Sequence, residues 1–363
     1  MTIKRLLAGV IATGLLASGC TADLNDRNAR LDAAISSAMT VAKIPGALVG
    51  IWSPGGRYVR AFGVADTTSG TPMETDFFSR IGSLTKTFTA TAVSRLAHEG
   101  KIGLDQPIGK YIDGVPNGDK ISVRQLATMR SGLADYTKVE GFDKAVMANP
   151  QRSFPPRELL DWAFKQPAQF APGMRFEYSN TNYILLGLLV ERISGVSLPD
   201  YLTASVLDPL RLTHTIFPTG AQFPGPHARG YTDPDLGGAA VDATDWNSSI
   251  TWAAGAMIST LEDLRTWVPA LANGALRRTI APDQPGQFAY GMGIFDVGGW
   301  IGHNGSVPGY QTVAVYLPER SITLVVMINT DIAAPTGEDP SEVLATAITS
   351  VITPDHVYAL PPP

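Results

Sequence analysis

Apolar residues along this chain recur with two periods, and the places where the period changes outline the fold. Leu31, Ile35, Ala38 and Met39 fall on one helical face, and Ile44-Pro45-Gly46 ends that helix. Residues 47–52 and 58–64 are short β-type runs joined through Pro54-Gly55-Gly56, a hairpin signal. Leu84, Phe88, Ala92 and Leu96 recur every fourth residue, and Gly100 is placed as a helix stop. Residues 100–270 read as mostly helical and loop-rich. The clearest helix there is 181–194, with Leu185, Leu189 and Ile193 on one face and Gly195 as its terminator. Residues 288–295, 311–317 and 322–329 return to β patterning, and 341–352 closes as a helix with Ser341 as N-cap and Leu344, Ala347, Ile348 and Val351 inward. Strands at both ends with helices between them predict an α/β (α+β) fold. One antiparallel sheet is built from both termini, flanked by helices, with an inserted mainly helical lobe at about 100–270.

The N-terminus has a different pattern. Lys4 and Arg5 precede an apolar run over residues 6–17 and the small residues Ala17-Ser18-Gly19, which reads as a secretory signal over 1–19. The run is too short for a permanent membrane-spanning helix. Cys20 is the only cysteine, so it can form no internal disulfide. Leu16-Ala17-Ser18-Gly19-Cys20 resembles a bacterial lipobox, which implies lipidation of Cys20 and an envelope location, at the outer face of the cytoplasmic membrane or in the periplasm. Ordinary secretion with a stray cysteine is the plainer alternative. Residues 20–29 are then expected as a polar tether, 30–355 as the folded domain and 356–363 as a Pro-rich tail.

Removing 1–19 leaves 344 of 363 residues, and losing Lys4 and Arg5 moves the formal charge from −5 to −7. With 44% hydrophobic and 17% charged residues, this is an ordinary globular composition. No basic cluster marks a nucleic-acid partner. The histidines at 98, 214, 227, 303 and 356 have no metal-ligand spacing. We expect no metal, no cofactor, a monomer, a small-molecule or peptide substrate, and membrane contact only through the lipid anchor.

Candidate chemistry begins with Ser83-Leu84-Thr85-Lys86, the only Ser-x-x-Lys in the chain. Ser83 opens a predicted helix and Lys86 projects from the same face one turn on, a usable pairing of hydroxyl and amine. Tyr178-Ser179-Asn180 is the only Tyr-x-Asn and precedes the 181–194 helix. His303-Asn304-Gly305-Ser306 lies between two β segments, with Gly302 and Gly309 keeping the backbone slim. Each has a bland reading: Ser83 as an N-cap with Lys86 on the surface, Tyr178 as core, Asn180 as a cap, His303 as a turn residue. His98-Glu99-Gly100 also fits His-x-Gly, at a helix end, so one short match proves little.

In order, the three motifs are more specific than any one of them. With the surrounding runs 78–83, 176–183 and 253–260, they resemble the serine β-lactamase and D-alanyl-D-alanine peptidase superfamily. The likeness is to the class C β-lactamase branch with its D,D-carboxypeptidase and esterase relatives, and it covers about residues 30–350. The resemblance implies that Ser83 forms an acyl-enzyme, that Lys86 and Tyr178 share the proton, and that Asn180 binds substrate and holds Lys86. It also implies an oxyanion hole from the N–H groups of Ser83 and Ser306, and a polar or proton-shuttling wall at His303, with Asn304 and Gly305 beside the substrate. A neighbouring ammonium is expected to lower the Tyr178 pKa. A Ser-His-Asp hydrolase is disfavoured, because the chain contains no Gly-x-Ser-x-Gly.

Two departures bear on substrate. Asn304 stands where the family often has threonine, and no Lys or Arg occurs between Arg278 and Arg320; Phe295 occupies a place where a carboxypeptidase relative has arginine. A desolvated carboxylate without a cation binds weakly, unless Arg229 folds into range. Hydrolysis of an ester or small amide is the expectation. D-alanyl-D-alanine carboxypeptidase, β-lactamase and a non-catalytic penicillin-binding lipoprotein follow in that order.

Overall fold

The structure, a computed structural model, describes residues 14–234, 237–280 and 288–361, with side chains described from Asp26 onward. Most of the expected signal segment (1–13) and the Cys20 side chain therefore lie outside the described residues. Helix α1 spans Gly14–Ala42, so residues 20–29, expected as a tether, are helical.

The sheet has seven antiparallel strands: β1 (Gly46–Ser53), β2 (Gly56–Gly63), β3 (Ala289–Tyr290), β4 (Phe295–Val297), β5 (Trp300–Val307), β6 (Tyr310–Leu317) and β7 (Ile322–Ile328), in the order β2-β1-β7-β6-β5-β4-β3. The two chain ends meet in its middle, where β1 pairs with β7, Val49 opposite Val326. The central strands are buried on both faces, so they read as continuous apolar runs, and the two-residue side-chain period sorts them into two cores. Val49, Ile51, Val313, Val315 and Val326 meet Leu31 and Ile35 of α1 and Leu344 and Ile348 of α5 (Pro340–Ile352). Leu48, Ala314, Val325 and Met327 face the helical lobe, which holds α2 (Thr85–His98), α3 (Thr181–Ser194) and α4 (Leu261–Asn273).

Three expectations are corrected. His303 to Ser306 do not sit between strands but within β5: Gly302, His303, Asn304 and Gly305 carry little β propensity, and the ladder with β6 overrides it. The 288–295 run is two short strands split at Gly291-Met292-Gly293. Gly293 has φ +67°, and a Cβ there would meet the Lys86 carbonyl oxygen at 2.8 Å. The cap of α5 is Asp339 with Pro340 in the first turn; Ser341 is buried, and its N–H donates to Gln311 Oε1 at 3.0 Å. The tail is docked as well, with Trp300 Nε1 donating to the His356 carbonyl at 2.7 Å and Tyr358 buried.

The seam between sheet and lobe is a backbone-to-backbone contact. Ser83 lies on a 3₁₀ turn, Gly82–Leu84, that leads directly into α2. A Cβ on Gly305 would sit 2.0 Å from the Ile81 carbonyl oxygen, and one on Gly82 (φ +50°) 2.6 Å from the Ser306 nitrogen. Neither position has room for a side chain. Gly305→Ala is expected to cost about 1–3 kcal/mol in urea unfolding. Gly55→Ala, whose Cβ would meet nothing closer than 3.7 Å, serves as the neutral control. Equal midpoints for the two variants would show that the seam is slack.

Candidate active site

The site assembles around one nitrogen. Lys86 is fully buried, and its Nζ lies 2.9 Å from Ser83 Oγ, 2.8 Å from Asn180 Oδ1 and 2.8 Å from the Ala254 carbonyl oxygen. Ala254 is held against α2 by two threonines: Thr85 Oγ1 accepts from the Met257 N–H at 3.0 Å, and Thr89 Oγ1 donates to the Ala253 carbonyl at 2.8 Å. Two of the three lysine partners can only accept. Asn180 Oδ1 must face the lysine because Asn180 Nδ2 donates to Asp135 Oδ2 at 3.0 Å. Once Lys86 is neutral, its two remaining hydrogens go to those acceptors, and its lone pair points at Ser83 Oγ.

Burial lowers the Lys86 pKa to about 7, and the Asp135 carboxylate opposes that shift. Tyr178 is half-buried, with its ring centroid 4.9 Å from Lys86 Nζ and its hydroxyl engaged with Ser83. Desolvation raises its pKa well above the ordinary tyrosine value, partly offset by the Ser83 bond and reinforced by Asp135. The expected lowering by a neighbouring ammonium is thus overturned: burial dominates, and Tyr178 keeps its proton.

The third motif divides by strand alternation. β4 pairs with β5 only as far as Gly302, which leaves the edge from His303 to Val307 free of β4 and turned toward Gly82. The backbone nitrogen of Ser306 lies 2.6 Å from where a Gly82 Cβ would sit, and that of Ser83 2.8 Å from where a Gly305 Cβ would sit. The His303 side chain faces the lobe but is buried behind Tyr178 (ring centroids 6.4 Å) and is not among the residues lining the cleft. Its Nδ1 donates to the Asn304 carbonyl at 2.5 Å, and its Nε2 accepts from the Tyr290 hydroxyl at 3.0 Å. Desolvation holds its pKa down to about 3, so it is neutral with both nitrogens committed, a structural wall rather than a proton shuttle. Asn304 points to the opposite face and donates to Glu342 Oε1 at 2.8 Å, so its side chain is turned away from the cleft.

Asp135 was not anticipated. It caps the 3₁₀ turn Tyr136–Lys138 through Thr137 and is buried against Asn180. An Asp before Tyr-Thr signals a cap, but nothing local connects it with a residue 45 positions later.

The cleft in front of Ser83 has a volume of about 310 Å³, with Phe142, Trp246 and Ile250 among its walls, and Asn180 and Ser306 beside the serine. Among the described residues its only charged lining side chain is Asp143. Arg229 does not reach it: the guanidinium is paired with Asp242 at 2.5 Å and Asp66 at 3.4 Å. Arg80 is buried, donating to the Thr244 and Trp246 carbonyls, and borders a recess of about 20 Å³, room for about one water, that shares Trp246, Ile250, Thr251, Gly255, Val307 and Pro308 with the cleft.

The beta-lactamase family model matches residues 31–347. The chain belongs to the beta-lactamase family. Its fold is that of the β-lactamase/transpeptidase-like serine hydrolase family. A D-stereospecific amidohydrolase from Streptomyces sp. superposes with TM-score 0.78 at 28% identity, covering 89% of this chain and 98% of that one. A D-amino acid amidase from Ochrobactrum anthropi SV3, complexed with L-phenylalanine amide, gives TM-score 0.77 at 26% identity, covering 91% and 99%. Protein flp of Staphylococcus aureus is 28% identical over 328 residues, 84% of this chain, and the chain spans 63% of that relative's length.

Asp135→Asn removes a charge that favours the ammonium, so the Lys86 titration is expected to fall below about 7. NMR titration of ¹³Cε-labelled lysine reads the midpoint directly; an unmoved midpoint would show that Asp135 does not reach Lys86.

Proposed function

We propose that this family member hydrolyses a small amide or ester whose acyl group carries an apolar side chain, with Ser83 as nucleophile, Lys86 as base and Tyr178 as acid. The observation that carries this reading is Lys86 Nζ at 2.9 Å from Ser83 Oγ, with two acceptors as its other partners. Neutral Lys86 takes the Ser83 proton as Oγ attacks the carbonyl carbon. The developing oxyanion is held by the N–H groups of Ser83 and Ser306. Tyr178 gives its proton to the leaving nitrogen or oxygen and regains one from Lys86, so the acyl-enzyme forms with the amine neutral again. Water then attacks the acyl-enzyme by the same proton route in reverse. Asn180 positions both Lys86 and the substrate.

The cleft's charge argues for the acyl group. With Asp143 the one charged wall residue among the described residues, an α-ammonium is favoured over a carboxylate, and Phe142, Trp246 and Ile250 suit an apolar side chain. An amino-acid amide or ester fits both, in keeping with the phenylalanine amide bound by the amidase relative. D-alanyl-D-alanine carboxypeptidase and β-lactamase activities rank lower because each presents a carboxylate. A purely penicillin-binding role ranks last, given the assembled Ser83–Lys86–Tyr178 geometry. We also propose export with a lipid anchor at Cys20, for which the 1–20 segment is the support.

Ser83→Ala is expected to lose about 10³-fold or more in kcat/KM on phenylalanine amide and p-nitrophenyl acetate. Wild-type protein inert on both, and unlabelled by a fluorophosphonate, would sink the catalytic reading. Because Lys86 must be neutral, kcat/KM should rise about tenfold per pH unit below about 7 and level off above it; a profile falling through that range would contradict a lysine base. Asp143→Asn should cost about fivefold on phenylalanine amide and leave the neutral ester unchanged. Faster cleavage of a D-Ala-D-Ala peptide than of the amide would favour the carboxypeptidase instead. Cys20→Ala should move the protein from the membrane fraction to the soluble one; retention on the membrane would end the anchor proposal.

A further inference from the structure

A second cavity, about 630 Å³ and larger than the catalytic cleft, opens at the far end of α2 from Ser83. That volume lies within the range of small-molecule sites. Val206 and Leu210 wall one side, Leu271 of α4 and Leu276 the other. The hydroxyls of Thr91 and Ser205 on its lining donate to the carbonyls of Thr87 and Tyr201, so they have no proton left to give a ligand.

At its rim stand Arg95 and Arg278, both exposed. Neither makes a side-chain hydrogen bond or ion pair among the described residues. The one carboxylate on the rim, Glu99, is held by Lys101 at 2.8 Å. Arg95 in the last turn of α2 complements that helix's dipole, which accounts for its sign. It does not account for Arg278, which comes from the separate turn Ala275–Thr279. Arg95 lies within electrostatic reach of Glu99, yet two exposed guanidiniums with no hydrogen bond or ion pair among the described residues, beside an apolar recess, match a molecule that is apolar along its length and anionic at one end.

We propose that this cavity binds a single fatty-acid-like amphiphile, its chain against Val206, Leu210, Leu271 and Leu276 and its carboxylate or phosphate head at Arg95 and Arg278. A single molecule fits better than a bilayer. The exposed large apolar residues Val41, Met147, Met174, Val196 and Val241 all lie off the cavity lining, so its apolar surface is recessed. The cavity also touches the catalytic helix: Trp267, on its wall, stacks on Phe88 at 4.1 Å and donates from Nε1 to Thr87 Oγ1 at 2.9 Å, next to Lys86.

Isothermal titration with sodium laurate below its micelle concentration tests this. One saturable site per chain is expected. The Arg95→Gln/Arg278→Gln double variant should weaken it about tenfold or more. Ala275→Trp, which fills the mouth from an exposed position, should abolish it. Both variants should keep p-nitrophenyl acetate hydrolysis, which certifies folding independently of any ligand. Dodecyltrimethylammonium should bind at least tenfold more weakly than laurate. Laurate binding unaffected by both variants, equal binding of the cationic amphiphile, or association only with phosphatidylglycerol vesicles and not with free laurate would each overturn the proposal.

Discussion

Burial of the Lys86 amine is the constraint on which the rest of the site depends. An ammonium taken fully out of water is costly unless every donor finds an acceptor. Here the acceptors come from three stretches of chain: the turn before α2, the residue before α3, and the short helix Trp252–Gly255 that carries Ala254. Satisfying one nitrogen therefore docks three segments of the lobe at a single point. Thr85 and Thr89 repeat the arrangement one turn apart on α2, binding the 253–257 stretch from the same face.

That point must also meet the sheet, and the sheet meets it without side chains. Gly82 and Gly305 bring the 3₁₀ turn and β5 within backbone contact, so the backbone nitrogens of Ser83 and Ser306 lie at the same seam. In the proposed mechanism, a bulkier pair would separate the nucleophile from one of its two oxyanion donors. The free edge of β5 past Gly302 has the same consequence: a longer β4 would pair with the donor edge and consume it. The short, broken β3 and β4 are thus a condition for the site, with Gly293 supplying the close approach to α2.

Local parts of this were legible in the sequence. Ser83, Lys86 and Asn180 could be placed because spacing along a helix start decides which side chains converge. The 181–194 helix, with Gly195 at φ +75°, matches its predicted ends. β5 was hidden because its residues are selected for thinness and polarity, not for strand propensity. Missing it blurred the directions of its side chains: in a strand, Asn304 and Ser306 point to one face and His303 to the other. That is why Asn304 meets Glu342, and why Ser306 contributes through its backbone. Asp135 was invisible because its contact with Asn180 is tertiary, and the high Tyr178 pKa because burial depth has no sequence signature.

The separation of Asp135 from Lys86 has its own logic. In direct contact, a carboxylate would hold the lysine protonated far above neutrality and remove the base. Without any carboxylate, desolvation would depress the lysine further. Asn180 stands between the two, bonded to Asp135 through Nδ2 and to Lys86 through Oδ1, so the charge is felt at one remove. The result is a pKa of about 7, at which gaining and losing the proton are nearly balanced. Asn180 is thus a spacer as much as a ligand. Its amide, acceptor on one side and donor on the other, is the group that can join an amine to a carboxylate without transferring a proton itself.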